Sequence, residues 1–202
     1  MDKEKKLING LRGIIPSLHT PFCNQNKIDI PSLKNLIDHT ITTGCSGMLV
    51  GAVAGENSSL SFEEKNVIID ECLSYNKNRI PIIISCSAKN QKDRIALAKT
   101  AKEAGADWIL CQTPENVSGN ELLQCFNEIA EAGPQNLMIQ DLSWTDNGMS
   151  DEDIMLLFEN INKFRALKIE VLNSGPKYSR ILEAANHQLH LSGGWAIMGM
   201  IE

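Results

Sequence analysis

Short apolar runs rich in Val, Ile and Leu recur along the chain, at 13–18, 47–53, 80–85, 107–111, 137–140, 165–171 and 189–192. Each is continuous rather than alternating, the pattern of parallel strands buried on both faces. Between the runs, apolar positions fall at three- and four-residue spacing. In 62–75, Val67, Ile68, Cys72 and Tyr75 share one face, while Glu63, Glu64, Lys65, Asp70 and Glu71 mostly point away. Helix punctuation agrees. Ser61 stands three residues before Glu64, the capping-box spacing. Ser150 precedes Asp151, Glu152 and Asp153, acidic side chains suited to a helix N-terminus. Gly44, Gly105 and Gly133 close helical stretches, and Pro31 and Pro176 sit in first turns. Seven strands alternating with six helices predict right-handed βαβ units and a parallel α/β sheet.

That alternation leaves two architectures, an open doubly wound sheet and a closed (β/α)8 TIM barrel. No G-x-G-x-x-G follows the first strand, and the nearest glycine-containing turn, Gly51 to Glu56, follows the second. This favours the barrel. The chain has 202 residues, against about 250 for a usual barrel. It therefore reads as one incomplete barrel domain over 1–202, with about seven strands because the chain ends early, inside what reads as a seventh helix.

Composition narrows the class. Apolar residues make up 43% and charged residues 22%, the balance of a soluble globular chain. A net charge of −6 argues against a nucleic-acid partner. No apolar run is long enough to span a membrane, and the start Met1-Asp2-Lys3-Glu4 lacks a secretory core, so a cytoplasmic location is expected. Cys23, Cys45, Cys72, Cys86, Cys111 and Cys125 form no C-x-x-C pair and read as reduced thiols, while the four histidines are dispersed. No metal site is expected.

Several motifs then carry a resemblance. Segment 44–64 reads G-C-S-G-M-L-V-G-A-V-A-G-E-N-S-S-L-S-F-E-E, segment 13–22 reads G-I-I-P-S-L-H-T-P-F, and Ala166-Leu167-Lys168-Ile169-Glu170 and Leu191-Ser192-Gly193-Gly194 follow. In order, these resemble four strands of the dihydrodipicolinate synthase / N-acetylneuraminate lyase family. That family reads Thr-Pro-Phe after its first strand, G-T-T-G-E after its second and G-[IV]-K-[ED] in its sixth. The likeness is collinear from about residue 11 to 202. It implies a class I aldolase-type barrel whose eighth strand and C-terminal helical extension are absent here.

The resemblance implies that Lys168 forms a Schiff base with a 2-oxo acid such as pyruvate, with no metal or organic cofactor, since the iminium is the electron sink. Leu167, Ile169 and Val171 surround that lysine with apolar neighbours; a strand-end lysine paired with Glu170 is the alternative. Val53, Ala54, Gly55 and Glu56 fall at the loop that holds the substrate carboxylate, although the family's two threonine hydroxyls are replaced by Val53 and Ala54. Gln140 stands where the family carries its proton-shuttling tyrosine, and Ile139-Gln140-Asp141 resembles a subgroup with Ile-Gln-Asp in this strand. Asn116 falls where a second tyrosine is common, and the synthase arginine is replaced around Trp144-Thr145. Asp141 reads either as a substrate contact or as a carboxylate capping a loop. Glu170, two residues after Lys168 and so on the same strand face, is a candidate acid–base group or a plain ion-pair partner. Gly193 and Gly194 would let backbone approach a ligand, with Trp195 beyond them. The function expected is a Schiff-base lyase or aldolase on a 2-oxo acid or its aldol adduct, homo-oligomeric when full length. The alternative is an impaired barrel that only binds a small carboxylate.

Overall fold

In the computed structural model, residues 11–194 are described. Among them, helices and strands alternate strictly: α1 (Ile30–Thr42), β1 (Met48–Val50), α2 (Phe62–Asn76), β2 (Ile82–Ser85), α3 (Gln91–Glu103), β3 (Trp108–Gln112), α4 (Gly119–Ala132), β4 (Asn136–Leu142), α5 (Asp151–Asn160), β5 (Phe164–Glu170), α6 (Ser174–Ala184) and β6 (His190–Gly193). A single 3-10 turn, Val53–Gly55, follows β1. The chain divides into two compact units. The first runs up to Leu110 and includes Glu131–Gln135; the second holds Cys111–Ala130 and the residues from Asn136 onward.

In the first unit β1, β2 and the start of β3 pair in parallel, with Met48 opposite Ile82 and Ile83 opposite Trp108. Every residue of β1 and β2 is buried, as their continuous apolar runs require. The run at 13–18 is shorter in the fold than in the sequence pattern. It makes only a parallel bridge between Ser17 and Leu49, in which Leu18 N–H donates to Leu49 O and Leu49 N–H donates to Pro16 O. Pro16 has no N–H to extend the ladder, and Gly13 turns the chain with φ +79°. Thus the described residues hold six strands, and the run at 13–18 contributes only this bridge where a seventh strand was expected.

Helix starts are set by side chains. Asp29 accepts from Ser32 N–H, Asn90 from Asp93 N–H, and Ser61 with Glu64 completes both halves of the capping box. The buried face of α2 comprises Ile68, Ile69, Cys72 and Asn76. Val67 is exposed instead, and the Tyr75 hydroxyl donates to Asp38 at 2.6 Å, tying α2 to α1. Gly44 and Gly105 take positive φ after α1 and α3, whereas Gly133 does not after α4.

In the second unit β4 pairs with β5 and β5 with β6, all parallel. Phe126 of α4 and Phe164 of β5 are fully buried; truncating such a side chain to Ala typically costs about 3–5 kcal/mol. In each unit sequential strands lie side by side, without the order reversal of a doubly wound sheet. All six cysteines are free thiols, with Cys72, Cys86 and Cys111 buried. No helix among the described residues is long and apolar enough to cross a membrane. The expected seventh helix and Trp195 lie outside the described residues.

Candidate active site

Directly opposed residues of a parallel ladder point to the same face. Gln140 of β4, Lys168 of β5 and Ser192 of β6 are opposed in register, so they form a row across three strands of the second unit. Glu170 lies two residues beyond Lys168 on the same face. Lys168 Nζ sits 2.8 Å from Glu170 Oε2, and Gln140 Nε2 donates a hydrogen bond to the same oxygen. The Lys168 side chain is 17% exposed and Glu170 is buried. Taking two charges out of water is costly, and close pairing with a second hydrogen bond is what offsets it. The result is an amine largely removed from solvent with a proton acceptor at contact distance.

The other Glu170 oxygen, Oε1, lies against Gly194. A Cβ at Gly194 would collide with Oε1, Cδ and Cγ of Glu170, whereas one at Gly193 would meet nothing within 4 Å. Of the two glycines expected to let backbone approach a ligand, Gly194 lies against a side chain, that of Glu170, and Gly193 has open space beside it. Gln140 is 1% exposed, and its amide faces Glu170 rather than open space.

Asp141 is engaged differently. Its Oδ2 accepts from Lys177 Nζ at 2.5 Å and its Oδ1 accepts from Met149 N–H at 2.9 Å. Lys177, 2% exposed, also donates to the carbonyls of Asn147 (2.6 Å) and Met149 (2.5 Å). Burial pushes the Asp141 carboxyl above the ordinary aspartate range, and the Lys177 ammonium and Met149 N–H oppose that shift. Gly148 (φ +66°) passes so close to Asp141 and Val171 that a Cβ would strike both. Of the two roles open to Asp141, the geometry is that of a carboxylate fixing a loop.

Asn116, exposed and left-handed (φ 57°), lines a cavity of about 750 Å³ within the second unit. The cavity lies between the loop after β3 and the loop after β4.

In the first unit, Val53–Gly55 forms the 3-10 turn and Glu56 is left-handed with φ 58°. Val53, Ala54 and Glu56 are exposed and Gly55 is buried. Gly55 O accepts from Thr20 Oγ1 at 2.7 Å, and a Cβ there would lie 2.9 Å from Leu18 O, so only glycine fits without displacement. Gly55 and Glu56 N–H bond back to Ala52 and Val53 carbonyls, while Val53 and Ala54 open the turn, where N–H groups lack intrahelical acceptors. Among the described residues no group of three His, Cys, Asp or Glu side chains could hold a metal ion.

The model of the dihydrodipicolinate synthetase family matches residues 10–197. The chain belongs to this family. The 4-hydroxy-tetrahydrodipicolinate synthase of Neisseria gonorrhoeae is 29% identical over 188 residues, covering 88% of this chain and 65% of that relative. The chloride-inhibited dihydrodipicolinate synthase of Acinetobacter baumannii, solved with pyruvate, is 28% identical with a TM-score of 0.82, covering 90% of this chain and 63% of that one. Dihydrodipicolinate synthase from Bacillus anthracis matches at 26% identity and the same TM-score, 0.82. The chain thus spans about two thirds of the length of these relatives, and its α/β fold is the barrel type of the family.

Two residues that shape the surroundings of Asp141, Lys177 and Gly148, lie outside the sequence motifs. A lysine near the start of α6 opposes the helix dipole, which signals a partner elsewhere in the fold. Nothing in the chain order indicates that the partner is Asp141, 36 residues away.

Proposed function

We propose that this dihydrodipicolinate synthetase family member carries a Schiff-base lyase or aldolase site for pyruvate or a related 2-oxo acid, or for an aldol adduct of one, with Lys168 as nucleophile. The observation that carries this reading is the Lys168 amine, largely out of water and 2.8 Å from the Glu170 carboxylate. Nζ adds to the C2 carbonyl. Of the three protons on the Lys168 ammonium, two leave with the carbonyl oxygen as water and one stays on the iminium nitrogen, with Glu170 carrying them in turn. Loss of a C3 proton to Glu170 gives the enamine. Its C3 bonds to an aldehyde carbon whose oxygen takes that proton, and water then hydrolyses the iminium and restores the ammonium. The same steps reversed cleave an adduct.

Gln140 is a positioning residue in this reading, because its amide cannot transfer a proton but holds Glu170. The resemblance supports Val53, Ala54, Gly55 and Glu56 as a carboxylate-binding loop, without the hydroxyls the family supplies there. These replacements favour the broad aldolase class over the reaction for which the relatives are named. The pyruvate bound to the Acinetobacter baumannii relative supports a small 2-oxo acid as ligand, and the family resemblance supports a homo-oligomer.

The test is reduction with borohydride in the presence of pyruvate and a panel of 2-oxo acids, read by intact and peptide mass. An adduct on Lys168, absent in Lys168→Ala, is expected. Failure with every 2-oxo acid would replace this reading with a barrel that only binds a carboxylate.

A further inference from the structure

We infer that Ser192 is a further catalytic residue: its hydroxyl donates a hydrogen bond to the substrate's C2 oxygen as Lys168 adds to that carbon. The inference rests on the Schiff-base reading and names a group that reading leaves without a role.

The faces of β5 and β6 fix the placement. Lys168 is opposed to Ser192 in register, and neighbouring strands lie about 4.8 Å apart, so both side chains leave the sheet on one face. A second contact agrees with that shared face. Gly194, two residues beyond Ser192, lies against the side chain of Glu170, two residues beyond Lys168. Lys168 therefore has Glu170 further along its own strand and Ser192 beside it on the next. Tyr178 of α6 donates its hydroxyl to Leu191 O at 3.3 Å, which anchors β6 one residue before the serine. Ser192 is half-buried, and among the described residues its hydroxyl has no hydrogen-bond partner.

The neighbouring polar groups of this unit are already engaged. Gln140 gives an amide N–H to Glu170, Thr113 Oγ1 gives its proton to Gln140 O at 2.9 Å, and the Tyr178 proton goes to Leu191. Ser192 is the hydroxyl left to face the amine.

The chemistry needs a donor at this point. As the neutral amine adds, the Nζ lone pair forms the bond to C2 and the carbonyl π pair moves to oxygen. That oxygen becomes an alkoxide before any proton reaches it. A fixed donor aimed at charge that develops in this way is worth about 100- to 1,000-fold in rate. Glu170 then passes a proton from the nitrogen to the alkoxide, and a second one as the nitrogen lone pair expels water. Ser192 keeps its own proton throughout, so the proton count at Glu170 is unchanged.

The test follows adduct formation in time on the full chain. Protein and pyruvate are mixed, reduced with borohydride at intervals and weighed, over a range of pyruvate concentrations. Ser192→Ala is expected to lower the maximal rate by about 10- to 100-fold and to leave the half-saturating pyruvate concentration within about twofold. Ser192→Thr, which restores a hydroxyl on a side chain suited to strands, is expected to recover most of the rate. Denaturant melts of both variants should match the parent. An unchanged maximal rate in Ser192→Ala overturns the inference and leaves Lys168 as nucleophile. So does a loss confined to the half-saturating concentration, which makes Ser192 a binding contact alone, or a Thr variant as slow as the Ala variant at equal stability. No adduct on the unaltered protein overturns the Schiff-base reading, and this inference with it.

Discussion

The Glu170 carboxylate rests on the Cα of Gly194, in space that any larger residue would occupy. Gly194 therefore sets how near that carboxylate lies to Lys168. Gly194→Ala is expected to displace it and slow trapping of the pyruvate adduct. Misplacing a catalytic group by an ångström can cost on the order of 100-fold, so a loss of about 10- to 100-fold is the expected range. Gly194 is exposed and its φ is not positive, so denaturant melts should change little. An unchanged trapping rate would remove Glu170 from the proton path.

Lys177 and Asp141 should behave as a unit. Removing one partner strands the other's charge in the interior, and breaking a buried pair in this way costs roughly 3–5 kcal/mol. Lys177→Met and Asp141→Leu are each expected to lower unfolding stability by about that amount. The double variant should lose clearly less than the two combined. Additive losses in urea melts would mean that the pair is not coupled.

Two cysteines should react in opposite ways. Backbone N–H groups of Gln25 and Lys27 around the exposed Cys23 thiolate hold its pKa below the ordinary thiol value. Burial pushes the Cys72 thiol up to about 12. Since the thiolate is the nucleophile, a lowered pKa means more reactive sulfur at neutral pH and a raised one means less. Iodoacetamide at pH 7.5 should label Cys23 first, and Cys72 only as fast as the protein unfolds. Peptide masses over time decide this, and early labelling of Cys72 would contradict its burial.

At the start of α2, Ser61 accepts from Glu64 N–H at 3.2 Å and Glu64 returns the bond to Ser61 N–H at 2.8 Å. Ser61→Ala is expected to cost about 1 kcal/mol in a denaturant melt. Ser61→Asp, which keeps an oxygen at the cap and adds charge favourable to the dipole, should retain most of it. Equal losses in both variants would exclude the cap as the cause.

Much of this arrangement was readable in the chain. β2 and β3 were visible because strands buried on both faces are apolar at every position. β4 runs further than its stretch at 137–140 suggested, because Asp141 is a buried polar residue whose partner comes from another segment, whereas β5 matches the run at 165–171 to within one residue. The run at 13–18 misled for the opposite reason: its apolar side chains suit a strand, but Pro16 and Gly13 do not suit a ladder. Within the site, Lys168 and Glu170 could be paired from their two-residue spacing alone. That Gln140 meets the same carboxylate required the register of β4 against β5, and the Lys177–Asp141 pair required the return of α6 over the loop after β4.

One lysine near the start of α6 grips the loop after β4 by two of its carbonyls and by the aspartate at its root. Loop and helix cannot then come apart by separate motions. The amide of Met149 should surrender its hydrogen to deuterium on the same clock as the first turns of α6, and whatever loosens that helix will open the rim of the cavity with it.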